Sequence, residues 1–425
     1  MKSRVRTNDN CECFFEVEVP ADVVDRTIKE VYDDIRKHAK IPGFRVGNAP
    51  QDLLEKYHGA DMREEVLKRL IPECYNKVLT DKKIGPVSYP EFSDIDFAGG
   101  RGLTFKAKVD VRPEIRLKKY KGIKVKSKKA EVTDEEVRSA LERFQGMSAK
   151  YTPVAEARPV QKGDFVICDI EAFVDDRPIS KKHEGMWVEA SKEASMLGVG
   201  ESLIGANTGE TRDVDVKLPE TYPDKKYAGK DAKFKILARE IKQKELPALD
   251  DDFAKDLGEE SMPALEEKIR EELLGKKKAN EEIGMKNQII ERLISDHKMA
   301  VPPTMLKRQS EVLMKRVGED LSSRGMDKKA VEDKLKELGP QIGEDAANKV
   351  RLYFIIEAIA EKEGIKVGTD DIENKYESVA RLAQQDVEAV KKYYKDHDLA
   401  DGLVEQICEE KTLDWLLEQA EKQEA

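Results

Sequence analysis

The feature that most constrains the fold is a change of hydrophobic period near residue 244. From there to residue 425 almost every residue is a helix former, and apolar positions recur three and four apart. Ile289, Ile290, Leu293 and Ile294 make one stripe, Leu306, Leu313 and Val317 a second, and Leu352, Ile355, Ile356 and Ile359 a third. Val301-Pro302-Pro303 separates the first from the second, and Thr369 reads as a helix N-cap. Trp415, Leu416 and Leu417 lie near the end. The helices are too charged, and too often interrupted by Gly and Pro, for a long regular coiled coil, and no fixed-period repeat appears. Residues 151–243 have the opposite texture, with short strands, Gly turns and prolines. Val166, Cys168, Ile170 and Ala172 alternate, as do Val214, Val216 and Leu218, then Phe234, Ile236 and Ala238. A small sheet-rich domain is expected there.

The first 112 residues mix both periods. Cys11, Cys13, Phe15, Val17 and Val19 alternate as a strand with one buried face. Pro20-Ala21-Asp22 opens a helix with Val24, Ile28, Val31, Ile35 and Ala39 on one side. A short helix with Leu53, Leu54 and Tyr57 is expected to stop at Gly59. Asp61 and Glu64 then read as a capping box for the next helix, which carries Val66, Leu67, Leu70, Cys74, Val78 and Leu79 and is kinked by Pro72. Pro86 to Phe92 reads as irregular or extended, and Leu103 to Val111 as a second alternating strand. Strands flanking helices predict a small α+β domain over residues 1–112. Residues 113–130 are Lys-rich and read as an extended linker. Thr133 and Glu136 form a capping box for a short helix with Val137, Leu141 and Phe144, so 113–150 is a linker and a helix.

Length and composition exclude several functions. At 425 residues about two to four domains are expected. Charged residues are 38% and aromatics 6%, which predicts a large solvated surface over modest cores. The net charge of -10 gives no general affinity for nucleic acid or anionic membrane. The cysteines Cys11, Cys13, Cys74, Cys168 and Cys408 are scattered and read as reduced thiols. Met1 to Cys13 holds no apolar signal core, and no apolar run approaches the roughly 20 residues needed to cross a bilayer. A soluble, cytoplasmic protein is expected. His38, His58, His183, His297 and His397 lie far apart without metal-ligand spacing, and read mostly as solvent-exposed bystanders. Neither a Gly-x-Ser-x-Gly elbow nor a phosphate loop occurs, and Gly198-Val199-Gly200 lacks the context of one. Neither a metal, nor a cofactor, nor ATP is expected.

One stretch runs against the overall charge. Between Ile35 and Gln51 there is no acid, while Arg36, Lys37, Lys40 and Arg45 gather with His38. Such a basic island suits a polyanion. Gly43 and Gly47 bracket Phe44 and Arg45, and Pro42 and Pro50 stiffen the flanks. The same residues also fit an ordinary helix connector with Phe44 folded into the core. Gly43-Phe44-Arg45-x-Gly47-x-x-Pro50 resembles the signature of the trigger factor family of bacterial ribosome-associated chaperones. The likeness extends along most of the chain. It implies that Lys40, Gly43, Phe44, Arg45, Gly47 and Pro50 form a ribosome-docking tip beside the polypeptide exit tunnel. The family usually has a Lys where this chain has Val46, so one phosphate-reaching charge is missing, for which Lys40 is the candidate substitute.

The segment 151–243, through Thr208-Gly209-Glu210 and Leu218-Pro219-Glu220-Thr221-Tyr222, resembles the family's FKBP-type prolyl isomerase module. Rotation about an X–Pro bond needs no acid, base or nucleophile. A dry aromatic pocket lowers the amide barrier, roughly 18–20 kcal/mol for a peptide bond, by withholding solvent from the planar ground state. By this resemblance Tyr222 and Phe234 fall on retained pocket positions, though both equally fit the core of a small sheet domain. Ile170 replaces an aromatic after Asp169. Met196-Leu197-Gly198-Val199 stands where the family has Ile-Pro-Gly-Phe, and Ser180-Lys181 lies where a Gly-Gly is usual. The prolyl-peptide pocket would be Ile170, Met196, Leu197, Val199, Tyr222 and Phe234, with activity weakened or lost and no catalytic residue assigned.

The resemblance implies a multidomain α+β protein. Its parts are an α+β ribosome-binding domain (1–112), a linker and helix packing on the C-terminal domain (113–150), an FKBP-like β-rich domain (151–243) and an elongated all-α chaperone domain (244–425). It implies an ATP-independent chaperone, partly ribosome-bound, that shields nascent unfolded polypeptides and assists folding and export. Partners would be the protein and rRNA of the large ribosomal subunit near the exit tunnel, with no membrane, and a weak homodimer is allowed. Met262, Met285, Met299, Met305, Met314 and Met326 offer flexible thioethers for varied clients, and equally fit as fillers of helix cores. The alternatives are a protein whose main role is prolyl isomerisation, and a helical adaptor with no ribosome link.

Overall fold

A computed structural model describes residues 1–38, 51–98, 102–154, 158–192, 199–219 and 226–424. The chain divides into two compact units, residues 1–127 with 284–425, and residues 128–283.

In the first unit, strands β1 (Lys2–Thr7) and β2 (Glu12–Val19) are followed by helices α1 (Ala21–His38) and α2 (Gln51–Lys82). Strands β3 (Glu91–Ala98) and β4 (Gly102–Asp110) come next. The sheet is antiparallel in the order β1-β2-β4-β3. Alternation decides its inner face: Cys13, Phe15, Val17 and Val19 pack with Leu103, Phe105, Ala107 and Val109 under Val24, Val31, Val66, Leu70 and Val78 of the helices. Gly102 has φ +91°, and a Cβ there would sit 2.4 Å from the Val19 carbonyl oxygen, so only glycine fits. This matches the α+β expectation, with two strands, β1 and β3, that the pattern did not show.

Local signals misled at α2. It runs unbroken through Gly59 and Pro72. Gly59 lies inside the helix, and Glu64 pairs with Lys68 one turn on rather than capping. A glycine costs about 1 kcal/mol in a helix. Burial of Met62, Val66 and Leu70 on the following turns offsets that cost.

Beyond β4 the Lys-rich segment is extended, as expected, but it is not a free linker. Tyr120, Ile123 and Val125 are buried against Met285, Ile289, Leu293, Leu352, Ile355, Ile356, Ile359 and Leu416. Strand β5 (Lys124–Ser127) closes this part of the chain.

The second unit holds α3 (Asp134–Met147), strands β6 (Lys150–Pro153), β7 (Phe165–Val174), β8 (Arg177–Pro178) and β9 (His183–Glu189), and the turn of helix α4 (Val199–Ser202). Strands β10 (Thr211–Lys217) and β11 (Asp231–Glu245), helix α5 (Asp251–Asp256) and the first part of α6 (Met262–Asp296) complete it. Its sheet follows β10-β11-β7-β8, with β6 also on β11 and β9 also on β7. The Thr133–Glu136 capping box is present, and α3 buries Val137, Ala140 and Leu141 against Phe253, Ala254, Leu265 and Ile269.

From Gly284 the chain is again in the first unit. It continues through α7 (Pro303–Ser323), α8 (Lys328–Glu363), α9 (Thr369–Ala383), α10 (Val387–Asp396), α11 (Ala400–Glu418) and β12 (Glu421–Glu424). β12 pairs in parallel with β5. The stripe Leu352, Ile355, Ile356 and Ile359 is buried as its spacing required. Thr369 is the first helical residue, not the cap. Gly368 is the N-cap, its N–H donating to Asp371 Oδ2 at 2.8 Å, because a carboxylate three residues in satisfies that donor from inside the helix.

Candidate functional site

In the second unit, β7 and β11 set the candidate pocket. Ile170 pairs with Ile236 and Ala172 with Phe234, so Ile170 and Phe234 share the inward face with Val166, Cys168, Val174 and Ala238. Phe234 and Val199 are buried in that cluster and Ile170 is half-buried against it. The structure therefore brings Ile170, Val199 and Phe234 into one apolar cluster. Met196, Leu197 and Tyr222 lie outside the described residues. The thiol that shares this face is inert: burial pushes Cys168 up to about 11.

The opposite face carries polar chemistry. Asp169 is buried, and its carboxylate accepts from Arg239 Nη2 at 2.6 Å, Lys182 Nζ at 3.0 Å and the Gly185 N–H at 3.1 Å. Burial pushes the carboxyl up, but these donors outweigh it and hold it below the usual range. Arg239 sits where the β7–β11 register slips between Ala238 and Glu240. Lys182 directly follows Ser180-Lys181 and is one of the two side-chain donors on the Asp169 carboxylate. Beside this knot, Tyr151, Phe165 and Trp187 pack edge to face, with centroids 4.7 and 5.6 Å from Tyr151. Lys242 Nζ lies 4.7 Å from the Trp187 ring centroid. The sequence reading missed this half-exposed trio because the alternation of His183 to Glu189 is too polar to announce a strand.

The expected docking residues Lys40, Gly43, Phe44, Arg45, Gly47 and Pro50 all lie outside the described residues. What flanks them is described. α1 ends in exposed Arg36, Lys37 and His38, Asp34 joins Lys37 and Arg69, and α1 packs along α2.

The third region is the pair α7 and the first half of α8. α7 has no buried residue. Leu306, Leu313, Val317 and Leu321 are half-buried, and Val312 and Met314 are exposed at 53% and 37%. On α8 only Val331 and Ile342 are buried before Ala346. Gly318 lets the two helices approach, since a Cβ there would meet Leu335 at 3.4 Å. The six methionines divide: Met285 is core, Met262 and Met299 pack at cluster edges, Met305 and Met326 are half-buried, and Met314 is exposed.

The base of α7 is held from the sheet. Its N-cap, Pro302, offers no side-chain acceptor, and the Thr304 N–H donates instead to Asp110 Oδ2 at 2.7 Å. Asp110 ends β4 and is buried. A helix opening at Pro-Pro without Ser, Thr, Asp or Asn was the signal that its cap comes from elsewhere. Among the described residues no group of His, Cys, Asp and Glu could hold a metal ion, and no helix is long and apolar enough to cross a membrane.

Residues 1–144 match the family described as "Bacterial trigger factor protein (TF)", residues 261–418 its C-terminus, and residues 156–239 "FKBP-type peptidyl-prolyl cis-trans isomerase". The trigger factor of Geobacillus kaustophilus is 34% identical over 413 residues, 95% of each chain. That of Geobacter metallireducens is 33% identical over 423 residues, 99% of this chain and 98% of the other. A solved structure described as "Promiscuous Substrate Recognition in Folding and Assembly Activities of the Trigger Factor Chaperone" is alike in fold. It has a TM-score of 0.55 at 22% identity, covering 98% of this chain and 99% of that one.

Proposed function

This chain belongs to the trigger factor family, chaperones that carry an FKBP-type isomerase domain, and from that premise we propose how it works. It docks at the exit tunnel of the large ribosomal subunit and holds emerging unfolded segments, without ATP, until they fold or are exported. The observation that carries the client-holding part is the state of α7. A 21-residue helix with an apolar stripe and no buried residue leaves contact area for a partner. Each such contact is weak, and several together hold a client while allowing release. The docking part rests on Phe44 and Arg45 in the family signature, the ring against protein or base surface and the guanidinium on phosphate. Lys40 supplements the charge that Val46 lacks.

The FKBP-like domain acts here as a weak isomerase. Support comes from the half-buried aliphatic Ile170 beside Phe234, where the family's pattern has an aromatic wall. Its inward face then serves more as a scaffold than as a twisting pocket.

Co-sedimentation with bacterial ribosomes tests the docking. The wild type is expected to pellet and Phe44→Ala/Arg45→Ala to stay in the supernatant; a variant that pellets like wild type overturns the loop assignment. A protease-coupled proline-peptide assay tests the second part, with turnover near background expected. Turnover far above background, abolished by Tyr222→Ala with Phe234→Ala, would make isomerisation the main role.

A further inference from the structure

The segment that joins β4 to β5 carries a charge pattern that the proposed function does not use. From Arg112 to Lys126 there are seven cations and one acid, Glu114, in a chain of net charge -10. Arg112 and Lys121 are neutralised by Glu357 and Glu363, at 2.7 and 2.8 Å. Arg116, Lys118, Lys119, Lys124 and Lys126 are exposed, and none forms an ion pair among the described residues.

Their backbone is fixed from beneath. The Lys118 N–H donates to His297 Nε2 at 2.8 Å. That nitrogen must therefore accept, which leaves Nδ1 to donate to the Leu293 carbonyl at 2.8 Å. His297 is buried, contrary to the expectation of a bystander. Eight residues on, the Gln288 amide clamps Lys126 from both sides: its Oε1 accepts from the Lys126 N–H at 2.8 Å and its Nε2 donates to the Lys126 carbonyl at 3.1 Å. Tyr120, Ile123 and Val125 are buried, and β12 pairs along β5. The cations thus extend from a backbone held by hydrogen bonds and by buried neighbours.

We propose that this ribbon is a second nucleic-acid contact, which takes the phosphate backbone of RNA without reading its sequence. Lys124 and Lys126 are two apart on a strand, hence about 6.6 Å along it. That is comparable to the separation of successive phosphates. Lysine ammoniums suit phosphate as point charges. No apolar residue between Arg112 and Lys126 is exposed, so the ribbon has nothing to insert into lipid or to seat against an apolar protein patch. The one aromatic between Arg112 and Lys126, Tyr120, is buried and cannot stack a base, which leaves the contact sequence-independent. Glu421 lies opposite Lys124 in the β5–β12 register and lowers the charge there without cancelling the ribbon.

The test uses the full chain and a short mixed-sequence RNA duplex, with polyglutamate and phosphatidylserine vesicles as parallel probes, over a salt series. Wild type is expected to bind the RNA most tightly of the three. Arg116→Gln/Lys118→Gln/Lys119→Gln/Lys124→Gln/Lys126→Gln is expected to lose at least tenfold affinity at low salt and to flatten the log–log salt slope by up to about 4. Changing only the four lysines to arginine should retain the wild-type slope, and Phe44→Ala/Arg45→Ala should retain most of it. Should the five-site variant fold poorly, Lys124→Gln and Lys126→Gln singly should each flatten the slope by about 0.9. A wild-type slope in the glutamine variants overturns the proposal, as does tighter binding to polyglutamate or to vesicles than to RNA. Because the probe is naked RNA and the loop is varied separately, failure here leaves the ribosome-docking reading standing.

Discussion

Strand β4 and helix α7 belong to the same unit and differ in how their apolar residues end up. On β4, Leu103, Phe105, Ala107 and Val109 are 0–2% exposed. On α7, Leu306, Leu313, Val317 and Leu321 have the right spacing for a buried face and reach only half burial. The strand has a second layer above it, supplied by α1 and α2. Among the described residues the helix packs chiefly along α8, and a two-helix pair cannot cover both of its apolar faces. An apolar stripe in a sequence therefore specifies which side wants covering, and the number of layers decides whether it becomes a core or a surface for others.

The largest effect should come from breaking the β4 side. Phe105→Ala removes a fully buried ring in edge-to-face contact with Phe92 and should cost about 3–5 kcal/mol, read by denaturant unfolding of the first unit. Asp110→Ala strikes the junction between the two elements. It removes the only side-chain cap described at the start of α7, and about 1–2 kcal/mol of local stability should be lost. Hydrogen exchange should quicken in the first turn of α7 while β4 keeps its protection. Uniform acceleration across β4 would mean that Asp110 serves the sheet instead.

These elements show what was legible. Cys13 to Val19 and Leu103 to Val109 were readable because period-two alternation with one wet face has a single solution. Leu352 to Ile359 was readable for the corresponding helical reason. The unbroken α2 was not, since Gly59 and Asp61 are correct local stop and start signals that tertiary burial overrides. β3 and β9 were hidden by charge, with Asp94, Asp96, His183 and Glu184 in place of β-branched residues. The His297 clamp and the Asp169 knot join residues distant in sequence, so no local pattern announces them, and at α7 the Pro302-Pro303 start signals only that a cap is missing, not that Asp110 supplies it. Of the pocket, Ile170 and Phe234 fell on one face as the alternation required, while the aromatic trio on the other face went unread.

Two smaller changes sharpen the comparison from the α7 side. Gln309 lies on α7 between Leu306 and Leu313, and its Nε2 is buried without a hydrogen-bond partner among the described residues. Gln309→Leu should stabilise the pair by about 1 kcal/mol, seen as slower hydrogen exchange on α7, and should weaken client holding as α7 becomes better satisfied by its own neighbour. Val312→Ser with Met314→Ser should change stability by less than about 0.5 kcal/mol, because both side chains already meet solvent. The same variant should lose a large part of its ability to suppress aggregation of a denatured client. A fall in melting temperature with holding intact would mean these residues are packing elements after all.

The measurement that bears most directly on the account is photo-crosslinking of an unfolded client to a probe placed at single positions. Position 312 on α7 and position 14 on β2 are both apolar and comparably exposed, at 53% and 41%. If α7 is the holding surface and the sheet is scaffold, the probe at 312 should crosslink strongly and the probe at 14 weakly. Equal yields at the two positions, or a stronger yield at 14, would contradict the assignment of client holding to the half-packed helices.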